Sequence, residues 1–240
     1  MVLQQLDHPH LVRYVDSFIQ GDTLCICMDY ADAGDLAGAI SDRETTMAFF
    51  PKATVVKYAF QLCSALAHCH HILKLLHRDI KPANCFLTSG GNIKLGDFGI
   101  SKMYVGTDDV AQTHCGTPLY MSPEQCQGKP YSRAADVWAM GVVIWQMLTL
   151  KTPFLDMLGA QQPGIYVLMR IIQTRRLPMN GIRKQYGDEI AALTAALLSQ
   201  KTEHRPSMEI AIRWPMFANI SGIENGTRLR LEGRHVNAPR

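Results

Sequence analysis

The sequence predicts an α+β fold, with a small strand-bearing N-terminal part ahead of a larger, mainly helical one. Three observations carry that expectation. Two short apolar runs, 11–19 and 23–30, flank Gln20-Gly21-Asp22 and are rich in Cys, Ile, Val, Tyr and Phe, the pattern of a β-hairpin closed by turn residues. From about residue 51 the apolar spacing changes to three and four, the period of an amphipathic helix. Further on, residues 134–149 are apolar almost all round, which places that helix in the middle of a domain.

Taken in order, the hairpin comes first. A long helix follows, introduced by Pro51 and marked by Val55, Tyr58, Ala59, Leu62, Ala65, Leu66, Cys69, Ile72 and Leu73. Cys85-Phe-Leu-Thr88 and Ile93-Lys-Leu95 around Ser89-Gly-Gly-Asn92 read as a second hairpin. After a loop of about thirty residues, helices are expected near 134–149, 164–174, 188–199 and 206–213. The organisation expected is a strand-bearing unit over 1–30, a helical unit over 31–220, and a polar, basic, non-periodic tail over 221–240.

Composition narrows the functional classes. Of 240 residues, 47% are hydrophobic and 19% charged, a globular balance. A net charge of +3, thinly spread, gives no electrostatic footprint for nucleic acid or an anionic membrane, so neither is expected as a partner. The longest apolar run, 137–148, is too short to span a bilayer, and the N-terminus has no signal-peptide pattern. Seven cysteines without a CxxC suit reduced thiols in a cytoplasmic protein, with nuclear or cytoskeletal association left open and secretion not expected.

The chemistry is concentrated in His77-Arg-Asp-Ile-Lys-Pro-Ala-Asn84, followed thirteen residues later by Asp97-Phe-Gly99. Phosphoryl transfer needs hard oxygen ligands for Mg²⁺, cations on the phosphates and a carboxylate that orients the attacking hydroxyl. Asp79 and Asn84 stand five apart, and the second hairpin returns Asp97 beside them. That provides one carboxylate for a hydroxyl, two oxygen ligands for a metal, and Lys81 to neutralise a phosphate.

These residues resemble the catalytic and metal-binding loops of eukaryotic protein kinases, and Lys81 matches the Ser/Thr type. Gly116-Thr-Pro-Leu-Tyr-Met-Ser-Pro-Glu124 is similar to the end of an activation segment, Asp136-Val-Trp-Ala-Met-Gly141 to the central helix, and His204-Arg-Pro206 to the late arginine that pairs with Glu124. With Leu24-Cys-Ile-Cys-Met-Asp-Tyr30, Gly34-Asp35-Leu36 and Lys129-Pro-Tyr131, the chain most resembles the NIMA-related kinases.

The resemblance implies a kinase-like fold with a nearly complete helical C-lobe and a truncated N-lobe, acting with ATP and Mg²⁺ on Ser/Thr of protein substrates. Asp79 would orient the acceptor hydroxyl, Lys81 contact the γ-phosphate, and Asn84 and Asp97 ligate Mg²⁺, with Thr117 bracing Asp79 and Lys81. Met28 would be the gatekeeper beside adenine, Asp29 to Ala31 the hinge and Phe86 the floor beneath it, with Asp35 also at the nucleotide. Ile100 favours Thr acceptors. Arg78 would bind a phosphate on Thr113, placed there by an activating kinase or by autophosphorylation. Glu124, Asp136 and Arg205 would be structural.

Other residues have plainer readings. His68, His70 and His71 lack a Cys or carboxylate at ligand spacing, so packing and solvent faces are expected of them. Cys25 and Cys27 alternate on a strand, where burial is the default, and Cys115 is expected to be unreactive rather than redox-sensitive. Arg175, Arg176, Arg183 and Lys184 form a modest basic stretch of the kind most often solvated.

Some kinase parts are not in this sequence. The first Lys is Lys52, the first Glu is Glu44, and the only Gly before Gly34 is Gly21, so it holds no Gly-rich loop, strand Lys or helix Glu. About fifty residues of the kinase pattern would precede Met1. The expectation is a Ser/Thr kinase whose N-terminal part is lost, inactive as it stands; a non-catalytic scaffold and a small-molecule phosphotransferase are the alternatives. Oligomeric state is not indicated, since the tail carries no heptads.

Overall fold

The structure, a computed structural model, describes residues 6–98, 118–157 and 164–221. The first hairpin is formed by β1 (Tyr14–Gln20) and β2 (Thr23–Met28), antiparallel, with Gln20 facing Thr23 across a turn where Gly21 takes φ 61°. A bulge between Tyr14 and Asp16 shifts the register at its base. Among the described residues no second layer covers it: Phe18, Ile19 and Leu24 are exposed. Cys27 is exposed too and Cys25 only half-buried, which corrects the expectation of burial; two strands alone have no inside. The chain ahead of the hairpin ties it to the larger part, since the Val12 N–H donates to the Leu95 carbonyl and the Leu95 N–H to that of His10, each at 2.9 Å.

Helix α1 (Leu36–Thr46) has no counterpart in the expected elements. Its sequence is polar and only Leu36 and Ile40 are buried, so it gives little periodic signal. The Asp35 carboxylate starts it by accepting from the Gly38 N–H at 2.8 Å, and Met47 ends it in the left-handed region. Helix α2 (Lys52–Ala67) begins after Pro51 as expected but does not run unchanged to Leu73. Over His68–Ile72 it widens into a π-turn, closed by the Leu73 N–H on the His68 carbonyl. Strands β3 (Cys85–Leu87) and β4 (Ile93–Leu95) form the second hairpin. Gln61 of α2 holds it with both ends of its amide, donating to Asn92 Oδ1 at 2.9 Å and accepting from the Ile93 N–H at 3.0 Å.

The remaining α-helices among the described residues are α3 (Pro123–Cys126), α4 (Arg133–Thr149), α5 (Ile165–Thr174), α6 (Asn180–Tyr186), α7 (Asp188–Leu197), α8 (Met208–Ala211) and α9 (Ala218–Ser221). The expected helix at 206–213 shrinks to α8, and α3 and α6 are additions too short for a periodic pattern to register. Helix α4 is central, with Val137, Trp138, Met140 and Ile144 buried and α2, α6 and α7 packed around it. No helix among the described residues is long and apolar enough to cross a membrane.

The approach of α4 to α7 depends on Gly141. A Cβ at that position would stand 2.9 Å from Leu197 Cβ and 3.0 Å from Leu198 Cγ. Gly141→Ala gains about 0.5–1 kcal/mol of helix propensity but forces the helices apart at a cost of about 1–3 kcal/mol. A lowered urea midpoint, with a net loss of about 1–2 kcal/mol, is the expected outcome.

Candidate active site

The site is assembled on a carboxylate that lies beneath it. Asp136, in the first turn of α4, is fully buried and accepts from the backbone N–H of His77 at 2.9 Å and of Arg78 at 3.1 Å. The Tyr131 hydroxyl donates to Oδ1, and His70 Nε2 sits 2.8 Å from Oδ2. Burial alone would push this carboxyl up, but His70, Tyr131 and the His77 N–H hold it below the usual range. Burial and the adjacent carboxylate push the Tyr131 phenol well up, keeping it a donor.

Held by Asp136, the 77–84 loop takes a fixed shape. Arg78 adopts φ 68°, a left-handed conformation that a side chain occupies only when surroundings enforce it. His77 is buried, its Nε2 3.0 Å from the Gly96 carbonyl and its ring 4.6 Å from that of Phe98. Burial lowers its pKa against the opposing pull of Asp136, Asp79 and Asp97, so the imidazole is neutral.

The structure brings Asp79, Lys81 and Asn84 together. Lys81 Nζ donates to Asp79 Oδ2 at 2.8 Å, and Asn84 Nδ2 donates to the same oxygen at 3.0 Å and to the Asp79 carbonyl at 2.7 Å. The carboxylate is thus oriented from two sides while remaining about a third exposed. With its Nδ2 committed, the buried Asn84 has its amide oxygen left as a ligand atom. A backbone bond from the Gly96 N–H to the Asn84 carbonyl, 3.0 Å, brings Asp97 alongside. Asp97 is exposed and takes φ 54°. An amide oxygen and a carboxylate form the hard-oxygen donor set that suits Mg²⁺.

The residues expected at the nucleotide line the junction of the two parts. Met28 ends β2, and the Asp29 N–H donates to the Arg13 carbonyl. Burial raises the Asp29 carboxyl, but Lys94 at 2.9 Å and Arg13 at 3.5 Å hold it lowered overall. Ala31 is half-buried just beyond. Phe86 pairs with Asp35 in an isolated antiparallel bridge, and its ring would be 3.0 Å from a Cβ on Gly96, so glycine keeps that floor flat against Asp97. The Asp35 carboxylate is itself engaged as the cap of α1.

Farther out, the Arg205 guanidinium meets Glu124 as a two-pronged fork, 2.6 Å to Oε1 and 2.8 Å to Oε2. Arg205 also donates to the carbonyls of Ser199 and Ala134 and lies 5.0 Å over the Trp138 ring. Burial raises the Glu124 carboxyl, but Arg205 outweighs it and keeps the group below its ordinary range.

Comparison with known proteins shows the family. The protein kinase domain family matches residues 1–217. The chain belongs to the protein kinase family. Human serine/threonine-protein kinase Nek2 is 34% identical over 244 residues, covering 99% of this chain and 53% of its own length. Mouse serine/threonine-protein kinase Nek4 is 38% identical, covering 98% of the chain and 28% of itself, and mouse Nek9 is 38% identical, covering 90% and 21%. This protein kinase domain is therefore Nek-like, and it spans about half the length of the Nek2 relatives or less of the others.

Within the kinase chain, Thr113, Thr117, Ile100 and Cys115 lie outside the described residues, while Arg78 is exposed beside the loop. His70 and Tyr131 are the residues whose role the sequence did not disclose. His70 sat in an apparent histidine cluster, yet no metal-holding group occurs among the described residues. Instead, His70 serves Asp136, His71 faces Glu209 at 3.4 Å, and His68 lies 5.2 Å from the ring of His8.

Two outcomes are expected. Glu124→Ala and Arg205→Ala should each lower stability by about 3–5 kcal/mol and combine non-additively in a double-mutant cycle, read by urea unfolding. For acid, His77 folds below its ordinary 6.5, and Glu124 and Asp136 fold below 4.5 and 3.8, so the unfolded chain binds more protons at each step. The stability these three groups contribute should be present above 6.5, begin to fall as pH drops below it, and fall further below 4.5 and on through the folded carboxyl values, with urea midpoints declining at each stage.

Proposed function

We propose that this domain is a serine/threonine protein kinase domain that transfers the γ-phosphoryl group of ATP to protein hydroxyls, with Thr favoured. The observation that carries the reading is the Asp79 carboxylate held between Lys81 and Asn84 with Asp97 alongside, a constellation that suits phosphoryl transfer. Asp79 positions the acceptor hydroxyl and takes its proton as the new O–P bond forms, while the bond from the γ-phosphorus to the β,γ-bridging oxygen breaks and ADP leaves with that electron pair. Lys81, 2.8 Å from that carboxylate, places positive charge where the phosphoryl group passes. Asn84 and Asp97 would hold Mg²⁺, and Met28, Asp29, Ala31, Asp35 and Phe86 would receive the nucleoside. When bound, Mg·ATP supplies the phosphoryl group and the divalent charge that neutralises it. A cytoplasmic setting, protein substrates and control through a phosphate on Thr113, to be bound by Arg78, belong to the same proposal.

The 240 residues hold no Gly-rich loop, strand Lys or helix Glu. Losing even one preorganised electrostatic donor costs about 10²–10³ in turnover, so these residues alone should transfer no measurable phosphate. The alternative reading is a scaffold that binds protein partners without catalysis.

Joining the small-lobe segment of Nek2 ahead of residue 6 tests the choice. The chimera should phosphorylate a Thr-containing protein substrate. Asp79→Asn in it should lower transfer by at least about 10²-fold with Mg·ATP affinity retained, and Asp97→Ala should weaken Mg·ATP binding itself. Undiminished transfer by Asp79→Asn would refute the assignment. A folded chimera that neither transfers phosphate nor gains thermal stability with Mg·ATP would favour the scaffold.

A further inference from the structure

A cavity of about 270 Å³ lies in the helical part and shares no residue with the candidate active site. Its walls are apolar: Trp145 and Leu148 from the C-terminal half of α4, Phe154, Leu177, and Ile182 from α6, all buried. Phe49 stands at the rim, 41% exposed. Two polar groups of the inner walls are already engaged. Trp145 Nε1 donates to the Pro178 carbonyl at 3.0 Å, and the Thr149 hydroxyl donates to the Trp145 carbonyl at 2.9 Å. A ligand therefore enters with an apolar body.

Two further features give the cavity a direction and a shape. Phe154 takes φ 63° while only 2% exposed, an aromatic residue kept in the left-handed region as part of a wall. Charge is confined to the rim. Lys151 and Asp156 pair there at 2.7 Å with both side chains more than half exposed, a contact of little worth that either partner can leave. Beyond that pair, the segments that supply the lining are basic in sequence, although Arg183 itself stands 3.8 Å from Asp188. Arg175 and Arg176 directly precede the lining residues Leu177 and Pro178, and Arg183 and Lys184 lie between Ile182 and Gln185.

We propose that this cavity binds a small amphiphilic carboxylate, with an aromatic or short branched aliphatic body among Trp145, Leu148, Phe154, Leu177 and Ile182 and the carboxylate at Lys151. In the complex, Lys151 exchanges Asp156 for the ligand, and Asp156 turns to solvent at small cost because it is already exposed. These basic segments add a longer-range preference for an anion that weakens with salt.

Isothermal titration of the full 240-residue chain with 4-phenylbutyrate, and with the uncharged 4-phenylbutan-1-ol, tests this. Saturable one-to-one binding of the acid is expected, with the alcohol weaker. Lys151→Gln, an exposed change that leaves the core alone, should weaken the acid by about 1.4- to 5-fold and leave the alcohol unchanged. Gly181 lines the cavity, and a Cβ added there meets no atom within 4 Å, so Gly181→Phe has room to fill the space. It should weaken both probes at least about tenfold with the thermal midpoint retained. No saturable binding, equal affinity for the two probes, or affinity unaffected by both variants would overturn the proposal. So would an acidic, Phe-containing peptide that binds at least about tenfold tighter than the acid and is lost in Gly181→Phe, which would make the cavity a docking site for a protein segment.

Discussion

Asp136 is the constraint on which the rest of the site depends. One fully buried carboxylate collects the N–H groups of His77 and Arg78, the Tyr131 hydroxyl and the His70 imidazole. An ionised carboxylate without those donors would be costly to bury, and the loop without that carboxylate would have two backbone donors unmet. The two requirements answer each other, so the loop that carries Asp79 is fixed to α4, the most deeply buried helix of the fold. Precision at the surface is borrowed from rigidity beneath it.

Strain is distributed in keeping with that arrangement. Arg78 and Asp97, neither of them glycine, both occupy the left-handed region. Each such residue costs of order 1–3 kcal/mol and persists only where neighbours over-determine it. For Arg78 the neighbour is Asp136. For Asp97 it is the pairing of the Gly96 N–H with the Asn84 carbonyl and the seating of Phe98 against His77. Gly96 allows Val12 and Phe86 to crowd in from the other side, where a Cβ would stand 2.6 Å from Val12 Cγ2. The acidic and amide groups expected to act together are set by backbone positions more than by side-chain freedom.

Much of this was legible in the sequence where local rules dominate. The hairpins, α2, α4 and α5 follow from turn residues and apolar spacing, and Asp79, Asn84 and Asp97 stand out through their spacing. What sequence did not disclose is long-range or polar. Helix α1 buries only Leu36 and Ile40, so its existence rests on a cap at Asp35 and on packing. The π-turn at His68–Ile72 breaks the helical period because His70 is held by Asp136, sixty-six residues on. Cys27 alternates as a buried residue would, but alternation cannot say whether a second layer exists to bury it.

The Glu124–Arg205 fork has a consequence for how the chain acquires its shape. The two residues are separated by eighty-one positions, and Arg205 also caps the Ala134 and Ser199 carbonyls. Closing so long a loop must be paid in entropy before the contact returns anything. During synthesis Glu124 leaves the ribosome well ahead of its arginine, at about 5–20 residues per second, and stays hydrated until then. The helical lobe therefore completes its folding late, with the arrival of α8 and the segment before it. Until the arginine arrives, the buried Glu124 site lacks the partner that neutralises it.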